Sequence, residues 1–198
     1  MKFGFGEWLL VLFNTLYIAA FGLYYVSIKN YEFLWYVAVL VFFFTLILTT
    51  LSKSNFNQFI LWCLSIWGLL HMAGGGIPVG DSVLYAYQVL PLFNGTGDFV
   101  LIKFDQLVHV FGFFVTTLVA FHLLRPYLNN KTRWSVVYAL LVLIGMGAGS
   151  LNEIVEFIAV VIFSETGVGG YANTLLDLVS NTIGAILAIG VIHFRRRD

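Results

Sequence analysis

His71, Asp105, His109, Glu153 and Glu156 are imidazole and carboxyl side chains carried inside stretches that otherwise read as membrane helix, and Asp177, Asn181 and Asn152 join them. Nitrogen and oxygen donors of this kind suit zinc, manganese, iron or, with fewer histidines, magnesium. Asp105 and His109, four residues apart on one helix, reach a single ion, and Glu153 with Glu156, three apart, add a bridging or second ligand as metal sites in helical bundles do. The expected cofactor is a divalent metal ion, with His71, Asp105, His109, Glu153 and Asp177 as candidate ligands. Water on such an ion becomes a usable nucleophile, so the sharpest enzymatic expectation is hydrolysis or group transfer on a lipid head group. Glu153, Glu156 and His71 are then the candidate general acids and bases, and Asn152 and Asn181 line the pocket.

A charged group at mid-helix costs roughly 2.5–3.5 kcal/mol on insertion scales, so these groups are expected to face one another rather than lipid. Two non-enzymatic readings stay open. Asp105 and His109 can pair with Asn181 and Glu153 as interhelical hydrogen bonds of about 0.6 kcal/mol each and do no chemistry. Alternatively, the carboxylates bind a cation, a proton, a positively charged antibiotic or a lipid, as a binding protein or a transporter. The inverted repeats and broken helices of secondary transporters are not evident, which ranks transport lower.

The elements that must hold these residues follow from composition. With 60% hydrophobic, 18% aromatic and only 10% charged residues, the chain departs from the soluble average of about 25% charged and belongs in a membrane. Six segments approach the ~20 residues that a ~30 Å hydrocarbon core requires: Trp8 to Ile28, Phe33 to Leu51, Phe59 to Gly75, Phe104 to Leu124, Ser135 to Phe163 and Leu175 to His193. The fold expected is an all-α polytopic bundle of about six transmembrane helices, a single integral membrane domain over residues 1–198. Lys2 before an apolar run resembles a signal peptide, but the run continues to Ile28 and reads as an uncleaved helix.

Eight of the ten basic residues, including Lys2, Lys53, Arg125, Lys131, Arg133 and Arg195-Arg196-Arg197, fall on the side of the two termini. The positive-inside rule puts both termini in the cytoplasm and the polar cluster in the outer half of the plasma membrane. Ten basic residues balance ten acidic ones, which argues against a nucleic-acid partner and leaves membrane lipids as the expected one. His122 and His193 lie near cytoplasmic ends, where an imidazole reaches the interface.

Spacing indicates faces. Asp105, His109, Gly112 and Thr116 share a helical stripe, as do Asp177, Asn181, Gly184 and Ala188. Gly145 and Gly149 lead to Asn152, Glu153 and Glu156, and His71 continues the face of Gly68. Small residues let helices approach closely beneath the cluster. Asp177 is expected to open the sixth helix. Between the third and fourth spans, Asp81 or Ser82 is expected to cap a short helix through Gln88 that Pro91 closes, forming a flap whose Tyr85 and Tyr87 suit the membrane interface. Asn94-Gly95-Thr96 and Asn130-Lys131-Thr132 match glycosylation sequons on opposite sides of the membrane, and Gly167-Val168-Gly169-Gly170 reads as turn punctuation. Cys63 cannot form an internal disulfide, and phosphate loops, HExxH, CxxC and GxSxG are missing.

Phe104-Asp105-Gln106-Leu107-Val108-His109, Glu153 with Glu156, and Asp177-Leu178-Val179-Ser180-Asn181-Thr182-Ile183-Gly184 resemble the ordered motifs of VanZ-like membrane proteins. His71-Met72-Ala73-Gly74-Gly75 and the paired glutamates are more similar to a sister group, the bacterial inner-membrane proteins of the YjdF type. The resemblance covers about Leu70 to Ala188 and implies an envelope function. It also has departures: Gln106 falls where a lysine is common, Glu156 where a glutamine is, and Ala172-Asn173 where an arginine is expected.

Overall fold

The computed structural model describes residues 4–91, 101–129, 131–164, 166–167 and 169–197. Lys2, the sequon Asn94-Gly95-Thr96, Asn130 of the second sequon and Val168 of the glycine run lie outside them. Six helices are long and apolar enough to cross a membrane: α1 Phe5–Ser27, α2 Tyr31–Ser54, α3 Gln58–Gly76, α4 Phe104–Leu124, α5 Trp134–Ile162 and α6 Tyr171–Arg197. Six consecutive spans return the described chain to the face from which it starts. We call that the terminal face and the opposite one the distal face.

Local chemistry sets the helix ends. The Asn30 side chain accepts from the Phe33 amide at 3.0 Å and caps α2, and Asn57 accepts from Ile60 at 2.9 Å and caps α3. Asparagine suits both places because its short amide reaches an amide that no helix carbonyl serves. Between α2 and α3, Asn55 turns the chain with a left-handed φ of 49°. At 29 residues α5 is about 43 Å long, more than a bilayer core needs, so it tilts or projects.

Helices α1–α3 pack through aromatic residues. Tyr17, Tyr25, Phe33, Tyr36 and Met72 form their largest cluster, and the run at the end of α3 explains how. A Cβ on Gly75 would collide with the Phe33 ring, and one on Gly76 with Phe21 and Tyr25. Rings therefore lie directly on the α3 backbone. Helices α4 and α6 approach more closely still, since a Cβ on Gly184 would overlap the Val110 carbonyl oxygen and come within 2.8 Å of the Phe114 amide nitrogen. Backbone touches backbone there, as small residues permit in membranes. Gly145 and Gly149 of α5 serve the same purpose against Thr117, Ala185 and Asn181. Gly68 faces Tyr17 and Leu40, so it packs α3 against α1 and α2, on the same side as His71, whose ring meets Tyr36 one turn before Leu40.

The connection from α3 to α4 corrects the expectation of a short helix. Its described residues form a hairpin of β1 Pro78–Val79 and β2 Ser82–Val83, a 3₁₀ turn over Leu84–Ala86, and the pair β3 Gln88–Pro91 with β4 Leu101–Lys103. Gly80 takes φ +58° at the first hairpin, and Gly80-Asp81 between two β-branched valines is a hairpin signal that outweighs the cap at Asp81. Tyr85 is likewise corrected: it turns inward, with its ring against Gly74 and His71. A second correction concerns α6, which begins at Tyr171, so Asp177 sits in its second turn rather than opening it.

Candidate functional site

His109 is the centre of the distal half. It projects from the second turn of α4, buried at 6% exposure. Its Nδ1 lies 3.0 Å from Asn181 Oδ1 of α6. An amide oxygen only accepts, so Nδ1 carries the hydrogen, and in the neutral ring Nε2 presents a lone pair. That nitrogen faces Asp105 Oδ1 at 3.7 Å and Glu156 Oε1 at 4.0 Å, while Nδ1 is 3.9 Å from Glu153 Oε1. These gaps exceed hydrogen-bond length.

Asp105 and Asp177 are tied together by amides. Asn173, one turn before Asp177 on α6, donates to Asp105 Oδ2 at 3.2 Å and to Asp177 Oδ2 at 2.6 Å. Gln106 Nε2 donates to Asp177 Oδ1 at 2.7 Å, while its Oε1 accepts from the Lys103 amide at 2.9 Å and closes the first turn of α4. On α5, Asn152 Nδ2 donates to Glu156 Oε1 at 2.8 Å. Two buried side-chain atoms here have no hydrogen-bond partner: Glu153 Oε1 and Asn181 Nδ2. Uncovered buried polar atoms each cost about 1–3 kcal/mol, and their rarity in native proteins calls for a reason.

The structure brings Asp105, His109, Asp177, Glu153, Glu156, Asn152 and Asn181 into one cluster. Within it, ligand-capable atoms of Asp105, His109 and Asp177 lie within 4.8 Å of one another, as do those of His109, Glu153 and Glu156. His71 is in neither group. Its Nδ1 is 2.5 Å from the Tyr85 hydroxyl, and its ring packs edge-on against Tyr36 at 5.4 Å. Burial and the neighbouring Asp105 and Glu156 carboxyls push the Tyr85 phenol well above its ordinary pKa, so it remains a donor. In the neutral His71 ring, Nδ1 then accepts and Nε2 bears hydrogen, which suits His71 to donating a hydrogen bond rather than to ligating.

Five contributors emerge only from the structure. Gln106 and Asn173 supply the amides, and Tyr85 covers His71. Glu32, buried at 7% exposure in the first turn of α2, accepts from Tyr36 at 3.4 Å and from the Gly167 amide at 2.6 Å. Tyr36 links it to His71. Its signal in the sequence is a carboxylate four residues before a tyrosine, at the distal end of an otherwise apolar helix. His122 and His193 lie near the terminal face, bonded to the Ser54 carbonyl at 2.9 Å and the Tyr138 hydroxyl at 3.3 Å.

Fold and cluster together define a polytopic α-helical membrane protein that buries ionisable groups from α4, α5 and α6 against one another. The model of a family described as Predicted membrane protein (DUF2238) matches residues 9–198, and the chain belongs to that family. The match takes in α1 and α2, beyond the Leu70–Ala188 stretch of the VanZ-like resemblance. No curated protein and no solved structure matches the chain.

Proposed function

We propose that the distal cluster is a divalent-metal site serving chemistry on a lipid head group in the cell envelope, with both termini in the cytoplasm. The observation that carries this reading is the disposition of His109. Its Nδ1 is engaged by Asn181, as the outer nitrogen of a metal-bound histidine generally is, and its Nε2 is aimed at two carboxyl oxygens too distant to bond it directly. Ligands at 2.0–2.2 Å around one ion lie about 3.0–3.5 Å apart, and the two sets that share His109, one with Asp105 and Asp177 and one with Glu153 and Glu156, each have ligand atoms within 4.8 Å of one another, so either set would close on an ion by moving inward.

Charge supports the same reading. Four carboxyls share the cluster with one imidazole, and among the described residues their ion pairs are with His109 alone. Isolated carboxylates in low dielectric cost several kcal/mol each, and a divalent ion offsets them. Where the VanZ-like resemblance leads one to expect a lysine and an arginine, this chain places Gln106 and the Ala172-Asn173 pair. Neither position thereby supplies a side-chain cation that would compete with a metal ion for the carboxyls.

Asp105, His109, Asp177, Glu153 and Glu156 would hold the ion, with His71 as an outer hydrogen-bond donor. When bound, such an ion polarises an ester or phosphoryl oxygen and lowers the pKa of a coordinated water. The chain's own residues orient the rest: Asn173 and Gln106 fix the aspartates, Asn152 fixes Glu156, and Tyr85 engages Nδ1 of His71 and so leaves its hydrogen on Nε2. Elemental analysis of purified protein should give roughly stoichiometric divalent metal that falls away in His109→Ala. Metal-free protein whose thermal stability ignores chelator would refute the site. Incubation with phospholipid and isoprenoid pools then separates turnover from binding, because only an enzyme yields a new product.

A further inference from the structure

At the terminal face, remote from the distal cluster, the α2–α3 turn, the α4–α5 connection and the end of α6 enclose a cleft of about 630 Å³. Its walls differ in character. The buried or half-buried Ile60, Leu118, Phe121 and Val191 give it an apolar floor, and the exposed Arg125, Arg195 and Arg196 are the cations of its lining. The two C-terminal arginines are held by rings: Arg196 lies over Trp134 with its guanidinium carbon 4.3 Å from the ring centroid, and Arg195 over Phe59 at 5.6 Å. Stacked guanidinium groups keep their edge hydrogens free and give up less side-chain entropy on binding.

Among the described residues no carboxylate lines the cleft and no aspartate or glutamate forms an ion pair with these three arginines. Three guanidinium groups beside an apolar recess at the end of a membrane bundle match one chemistry, an anionic amphiphile. A free phosphate would satisfy the arginines but leave the apolar floor facing water. A zwitterionic lipid would fill the floor but carry its ammonium against three guanidinium groups.

We infer that this cleft binds an anionic phospholipid of the adjoining leaflet, its phosphate held by Arg125, Arg195 and Arg196 and the start of an acyl chain on the Ile60, Leu118 and Phe121 floor. Basic pockets between transmembrane helices recognise anionic head groups in this way. The inference is independent of the metal site, since it uses none of the same residues.

The test uses the full chain purified in detergent, titrated with dioleoylphosphatidylglycerol, dioleoylphosphatidylcholine or inorganic phosphate and followed by native mass spectrometry and thermal denaturation. Phosphatidylglycerol is expected to give a saturable one-lipid adduct and a rise in melting temperature, and the other two probes neither. Each arginine at such a site contributes about a five-fold factor in affinity, so Arg195→Gln/Arg196→Gln should bind about 25-fold more weakly. Arg196→Lys, which keeps the charge, should lose less than about five-fold. Both variants alter exposed side chains, and an unchanged melting temperature without lipid establishes that they are folded. If the double variant fails that check, Arg125→Gln is read in its place, with a five-fold loss expected. Equal adducts with phosphatidylcholine, phosphate acting as well as phosphatidylglycerol, or undiminished binding by the folded arginine-to-glutamine variant would each overturn the inference.

Discussion

Glu153→Gln should give up part or all of a stability advantage over the wild type when metal is added. Ligand atoms of Glu153, His109 and Glu156 lie within 4.8 Å of one another, and two negative charges at that separation repel by about 3 kcal/mol at an effective dielectric of about 20, or about 1 kcal/mol in a water-like medium. In chelator the variant loses that repulsion and melts at or above the wild type. For a chain of this size, each kcal/mol moves the midpoint by about 2–4 °C, so the gain reaches about 6–12 °C at most. Adding metal at about 100 times its Kd stabilises the wild type by about 2.7 kcal/mol, or about 5–11 °C. A variant whose affinity has fallen at least ten-fold gains about 1.4 kcal/mol or less at the same concentration. The order of the two midpoints therefore narrows or crosses between chelator and metal. The assay is differential scanning fluorimetry in detergent with EDTA, then with zinc, manganese or magnesium. A wild type indifferent to all three ions, or a variant that responds as strongly as the wild type, refutes the reasoning.

Other expectations can be checked with the same material. Gly184→Ala sets a methyl group against the α4 backbone and should cost at least 1–3 kcal/mol as overpacking, whereas Gly147→Ala, with nothing within 4 Å of the new carbon, should be neutral or up to about 1 kcal/mol stabilising; melting temperatures decide both. Glu32→Ala removes the acceptor for the Gly167 amide and should cost about 1.5–3 kcal/mol while accelerating hydrogen exchange at that amide. Tyr85→Phe should cost about 1 kcal/mol near neutral pH by removing the bond to His71. Because the folded phenol titrates well above its unfolded value of about 10, its contribution is complete below pH 10 and is lost as pH rises beyond it; the variant's pH–stability curve should fall less steeply there.

The six spans were legible in the sequence because length and hydropathy are local properties, and each predicted span falls within a few residues of its helix. The membership of the cluster was legible for a related reason: an ionisable group inside an apolar helix must find polar company. What spacing concealed was the company itself. Gln106 and Asn173 stood out as departures from the VanZ-like pattern, yet only the three-dimensional arrangement shows both amides on Asp177. Glu32 lies one residue before the predicted second span, and nothing local announces that Gly167, 135 positions later, donates to it. The α3–α4 connection misled because a capping residue and a hairpin turn compete over the same few positions. There the choice was made by contact with α3, since Tyr85 has a bare backbone on which to lie.

That bare backbone is Gly74. Any side chain there would evict the Tyr85 ring, and with it the hydroxyl that orients His71. The setting of the His71 imidazole is thereby tied to a glycine 31 positions before Asp105, and a substitution at Gly74 would reach that imidazole without altering either the ring or the hydroxyl beside it.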